Sequence, residues 1–168
     1  ISLFSLDGSN RLKISTNNNY DLLVRFFFKF QSGVDTLFYI GDLNSGTGNR
    51  TAWLVFKQTG VLEIWIEGGS SPVSTYNTFP DLTKWYELEL KYRYPNLPNS
   101  GNSLIVDIYS FSWTGNQASN RTLLTSLNGG TPNRKGQYIW FQLNSTGNSS
   151  IKLDWFRIFQ GWGIFEIL

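Results

Sequence analysis

The sequence predicts an all-β fold, a two-sheet antiparallel jelly-roll sandwich, with residues 1–168 forming one domain. Three observations lead there. Apolar and polar residues alternate over short runs, the pattern of a strand with one buried face. Gly, Asn, Pro and Ser break those runs at short intervals. No long stretch carries the spacing of an amphipathic helix, so no crossover helices separate the strands.

The elements follow in order. Leu12 and Ile14 form a short alternating segment after the turn Asp7-Gly8-Ser9-Asn10. Leu22 to Phe30 sets Leu22, Val24, Phe26, Phe28 and Phe30 on one face, with Arg25 and Lys29 on the other. Thr36 to Ile40 and Ala52 to Lys57 come next, and Gln58-Thr59-Gly60 turns the chain into Val61 to Glu67. There Leu62, Ile64 and Ile66 face inward. Trp85 to Tyr94 alternates most cleanly, with Tyr86, Leu88, Leu90, Tyr92 and Tyr94 inward. Glu87, Glu89, Lys91 and Arg93 are expected on a solvated outer face. Leu104 to Phe111, Tyr138 to Leu143 and Ile151 to Phe159 complete the strands, and the tail from Gly161 to Leu168 is apolar again.

Composition excludes several chemistries. Charged residues are 15%, against about 25% in an average soluble protein, while aromatics reach 17%. The net charge is +2 and the basic residues are scattered, so neither a nucleic-acid groove nor a polybasic membrane patch is expected. No apolar run is long enough to span a membrane. With no Cys and no His, there is no thiolate nucleophile, no disulfide, and none of the commonest general bases or transition-metal ligands. Asn, Ser, Thr and Gly dominate the polar set, as suits an extracellular or cell-surface protein. Sequons at Asn49, Asn120, Asn144 and Asn148 fit that location, although composition alone would supply about two. A chain that begins at Ile1 rather than Met reads as a processed chain or an excised domain.

Several segments together resemble the laminin-G-like or concanavalin-A-like lectin–glucanase superfamily. Phe4-Ser5-Leu6-Asp7-Gly8-Ser9-Asn10-Arg11-Leu12-Lys13-Ile14 is similar to its first hairpin, and Leu22 to Phe30 to its next long strand. Lys84-Trp85-Tyr86-Glu87-Leu88 resembles its Trp-led strand, and Leu153 to Phe159 its closing strand, which pairs beside the first. The resemblance implies glycan-binding modules, adhesion domains or glycoside hydrolases. It also implies a structural calcium ion between the domain's start and its closing strand, with Asp154, and Asp7 or carbonyls near Gly8, as ligands; no other cofactor is expected.

The hydrolase branch carries Glu, Asp and Glu on alternate residues of one strand. Here Glu63, Trp65 and Glu67 occupy one face of their strand. Trp65 stands where the branch has Asp, which argues against two-carboxylate hydrolysis and suits an aromatic platform that stacks on a sugar between two acceptors. Trp113, in the loop Ser112 to Asn116, is the tryptophan least easily assigned to the core and is expected as a loop lid over a sandwich edge or as an exposed platform for a ligand or partner. The leading expectation is therefore a non-catalytic module that binds glycans or a protein partner through Glu63, Trp65, Glu67 and Trp113. The first alternative is a filament, pilus or coat subunit that self-associates by exchanging its apolar terminal strands. The second is a glycoside hydrolase-like domain.

Overall fold

The computed structural model describes residues 4–6, 12–15, 21–44, 47–93, 104–115, 117–132, 138–144 and 148–161. They form two antiparallel sheets packed as a β-sandwich, as the alternation predicts. The strands are β1 (Phe4–Leu6), β2 (Leu12–Ser15), β3 (Asp21–Phe30), β4 (Thr36–Asn44), β5 (Thr47–Lys57) and β6 (Val61–Ile66). They continue with β7 (Ser74–Tyr76), β8 (Tyr86–Tyr92), β9 (Leu104–Thr114), β10 (Gln117–Asn128), β11 (Tyr138–Asn144) and β12 (Ile151–Gly161). One sheet has seven strands in the order β1-β2-β11-β4-β5-β6-β7, the other five in the order β10-β9-β8-β3-β12.

The core lies between the sheets and is built from the predicted inward faces. Phe26, Phe28, Leu62, Ile64, Leu88 and Leu90 are fully buried, and Ile66 packs against them from the margin. Phe28 is a hub, with its ring 5.2 Å from Phe56, 5.6 Å from Phe30 and 5.9 Å from both Phe79 and Tyr86. Such pairs add about 0.5–1.5 kcal/mol each beyond their area burial. Gly60, at φ 80°, closes the predicted turn by donating its N–H to the Lys57 carbonyl at 3.0 Å.

One expectation about connectivity fails. β12 does not lie beside the opening strand: it pairs with β3 at the edge of the five-stranded sheet, while β1 pairs with β2 at the edge of the other. β3 is apolar on both faces, since Leu23 and Phe27 interrupt the outward Arg25 and Lys29. It lies inside the sheet, between β8 and β12, with both faces covered. The junction is pinned by buried hydroxyls: Ser150 Oγ donates to the Phe56 carbonyl at 2.6 Å, and the Thr36 N–H donates to Ser150 Oγ at 3.1 Å.

β10 escaped the pattern reading altogether. Its register against β9 slips between Ser119 and Thr122 and again between Leu123 and Thr125. Each slip resets the alternation, so no period of two survives in the sequence.

Candidate functional site

The outer face of the five-stranded sheet gathers residues from all of its strands. By register, Glu87 of β8 lies opposite Phe27 of β3 and Tyr109 of β9; Glu89 lies opposite Arg25 and Asp107. The sequence predicts a solvated face for these glutamates. The structure overturns that: Glu89 is fully buried and Glu87 nearly so. Long side chains from both flanking sides cover them. The guanidiniums of Arg25 and Arg121 converge on Glu89 Oε1, and Arg121 Nε donates to Glu87 Oε2 at 2.8 Å. Lys91 pairs with Asp107 at 2.5 Å on the same face. Two carboxylates buried between guanidiniums are tolerable because each charge is paired and hydrogen-bonded.

The environment tunes its members. Burial pushes the Glu87 carboxyl above the usual glutamate range, and Arg121 acts against that rise. Burial, with Glu89 and Asp107 nearby, pushes the Tyr109 phenol up to about 12. The Arg121 guanidinium stacks on that neutral ring at 3.4 Å from its centroid.

An aromatic group borders the ionic one. The Phe27 ring is stacked on Trp155 at 4.8 Å and 13°, and meets Trp113 edge-on at 5.5 Å and Phe111 at 4.7 Å. Trp113 and Trp155 stay 48% and 36% exposed, so their rings are available to a ligand. Between them opens a cleft of about 620 Å³. Arg25, Glu87, Arg121 and Asp154 supply its charged lining, with Gln117 and Ala118 at its β10 margin. Its volume falls in the range of small-molecule sites.

Two backbone irregularities aim these side chains. β12 is regular to Asp154, which sits opposite Phe27, and resumes at Arg157 opposite Arg25. Trp155 and Phe156 thus share one position across from Phe26. Trp155 takes φ 53°, and its N–H is held by Asp154 Oδ1 at 2.7 Å. The extra residue puts the Trp155 ring against Phe27 outside, while Phe156 stacks on Phe26 at 5.7 Å. On β10, Asn120 takes φ 51° between the paired Ser119 and Thr122, and Arg121 then reaches the glutamates. Positive φ is uncommon for non-glycine residues and a real outlier for a bulky one, and bulges of this kind re-aim side chains.

The sequence-predicted site residues are divided. Trp113 lines the cleft, but from strand β9 rather than a loop, paired with Ala118 across the turn at Gly115. Asp154 lines it too, while Asp7 lies outside the described residues. No group of three or more metal-ligating side chains occurs among the described residues. Trp65 and Glu63 are neighbours on the other sheet's outer face, as alternation predicts. There the indole N–H donates to Glu63 Oε2 at 3.0 Å, and Lys57 pairs with Oε1 at 2.5 Å. Glu67 lies past the end of β6, exposed in the turn. That group therefore sits on the face opposite Trp113 and shares no site with it. Of the sequons, Asn120 and Asn148 are exposed, Asn49 lies in β5, and Asn144 ends β11.

Reading sequence missed Arg25, Glu87, Arg121, Phe27 and Trp155. For Glu87 and Glu89 the signal was present, as alternate acids on the strand with the cleanest pattern. For Arg121 and Trp155 there was none, because a bulge leaves no mark in an alternation. No protein-family model matches the chain, and no curated protein matches it in sequence.

Proposed function

We propose that this chain is a non-catalytic, extracellular glycan-binding module that takes a neutral sugar in the outer cleft of the five-stranded sheet. The observation that carries the reading is the meeting of two exposed indoles, Trp113 and Trp155, with the paired charges of Arg25, Glu87 and Arg121 in one cleft. Indole faces stack on the apolar face of a pyranose, and convergent carboxylates and guanidiniums bond its hydroxyls. Groups already held by partners lose little freedom on binding, which favours affinity. The low charge and the amide-rich composition support the extracellular placement.

The non-catalytic part rests on the carboxylates being engaged. Glu89 is enclosed between Arg25 and Arg121, and Glu87 is tied to Arg121. A glycosidase needs one carboxyl free to give a proton and another free to attack or to activate water. Release of reducing sugar from a β-glucan, abolished in Glu87→Gln, would overturn it. The self-association alternative draws on the terminal segments 1–6 and 163–168; within them Phe4–Leu6 pairs with β2, and residues 1–3 and 163–168 lie outside the described residues.

A glycan array followed by calorimetry tests the reading. Binding should be lost in Trp113→Ala and Trp155→Ala and kept in Trp65→Ala. A blank array, with no sugar bound at millimolar concentration, would sink it and leave a protein partner as the occupant of the cleft.

A further inference from the structure

We infer that the ligand is a linear oligosaccharide chain which crosses Trp113, rather than a single terminal sugar. This rests on the glycan-binding reading above and extends it to a second cavity. Trp113 lines not only the cleft already described but also a cavity of about 480 Å³ on its other side. The exposed indole is thus a ridge shared by two hollows, the second of which wraps the end of the sheet where β8 begins and Tyr86, Ser110 and Ser112 line it. The Trp155 and Trp113 rings both meet Phe27, at 4.8 and 5.5 Å, so their centroids lie within about 10 Å of each other, and the second cavity extends that span further. A single sugar ring would leave most of that length empty.

The chemistry of the second cavity suits the same ligand. Asp81, Thr83, Lys84, Trp85 and Ser112 line it beside Trp113, which gives two indoles, both charges and hydroxyls. Asp81 is fixed before any ligand arrives. Its Oδ1 accepts the Thr83 N–H at 2.8 Å and the Thr83 hydroxyl at 2.7 Å, and its carbonyl accepts the Tyr86 hydroxyl at 2.7 Å. Those Thr83 bonds hold its carboxyl below the usual aspartate range, so it stands ready as an ionised acceptor for sugar hydroxyls. Trp113 itself is propped from beneath by Phe111, edge-on at 5.2 Å, and by Phe27. Its ring is held as a fixed rail between the two hollows.

Calorimetry on the full chain provides the test. The probes are neutral β-glucan, mannan, xylan and chitin oligosaccharides of two to six units. Affinity for the best-bound series should rise at least tenfold from the disaccharide to the tetrasaccharide. Asp81→Asn and Lys84→Ala should flatten that rise and leave disaccharide affinity unchanged; circular dichroism and Tm confirm that each variant folds. Lys84 is exposed and its change leaves the Asp81 turn intact, so the test survives if Asp81→Asn does not fold. Affinity that is independent of length, or a rise untouched by Lys84→Ala and a folded Asp81→Asn, would overturn the chain-crossing inference while leaving the glycan reading in place. If no member of any series binds, both fall.

Discussion

On the outer face of the seven-stranded sheet, Tyr39, Trp53 and Trp65 sit opposite one another across β4, β5 and β6, in a row that ends just before β5 bulges at Thr51. Trp53 and Trp65 are nearly parallel, at 6.1 Å and 8°, and Arg50 stacks over Tyr39 at 3.9 Å. On the outer face of the five-stranded sheet the same residue types, aromatic rings with arginines and acids, meet across strands that are bulged at Asn120 and Trp155. The first arrangement uses its polar groups on itself: Glu63 takes both the Trp65 indole and Lys57. The second leaves two indoles partly bare above a charged floor. Composition does not separate the two faces. Local backbone does: the bulge in β5 buries Thr51, whose hydroxyl donates to the Ile40 carbonyl, and leaves the aromatic row side by side, while the bulges in β10 and β12 tip Arg121 and Trp155 out of their rows.

The largest expected difference lies in the ionic floor. Glu89→Ala takes the close partner from Arg25, leaving it the longer 3.9 Å approach to Glu87, and should cost about 3 kcal/mol, since Arg121 can turn out to water. Glu63→Ala on the other face removes a partner from the more exposed Lys57 and from the Trp65 indole, and should cost about 1–2 kcal/mol. Urea unfolding of both variants measures the gap. Equal costs would mean that the two faces are alike in burial energetics.

Alkaline titration sharpens the same contrast. Tyr109 should ionise at about 12 instead of near 10, seen as a late step in phenolate absorbance that is missing in Tyr109→Phe. The fold favours the protonated phenol. Its stabilising contribution is therefore whole below about pH 10 and is lost as pH rises through about 12. A titration with no such late step would show that water reaches the floor freely.

Binding comes next. Trp155→Ala should weaken the sugar at least tenfold, about 1.4 kcal/mol, while Trp65→Ala should leave affinity within experimental error. A loss in Trp65→Ala alone would move the site to the opposite sheet.

How much of this was legible follows from the same contrast. Strict alternation located Leu62, Ile64, Leu88 and Leu90 in the core, and put Glu63 beside Trp65, because in regular strands the period of two is the structure. It also put Glu87 and Glu89 on the outer face but took that face to be wet. Whether an outer face is covered depends on which strands flank it, and β8 lies between β3 and β9, which bring Arg25, Phe27, Tyr109 and Phe111 over it. Strand order of that kind is a non-local fact that no window of sequence carries. Trp155 and Arg121 were further out of reach, since their aim depends on one extra residue in each edge strand.

The smallest effect is the most specific to the bulge. Gly in a strand normally costs about 0.5–1 kcal/mol relative to Ala, through lost backbone entropy. At residue 65, within regular β6, Trp65→Gly should be less stable than Trp65→Ala by that amount. At residue 155 the order should reverse. Both substitutions there lose the stack on Phe27, so that loss cancels in the comparison. What remains is the backbone at φ 53°, which an L-residue occupies at a cost of about 1–2 kcal/mol and glycine occupies freely. Trp155→Gly should therefore unfold at a higher urea concentration than Trp155→Ala, by up to about 1 kcal/mol, while neither binds sugar. If Ala is the more stable at both positions, Trp155 is unstrained, and the bulge is not what lifts the indole into the cleft.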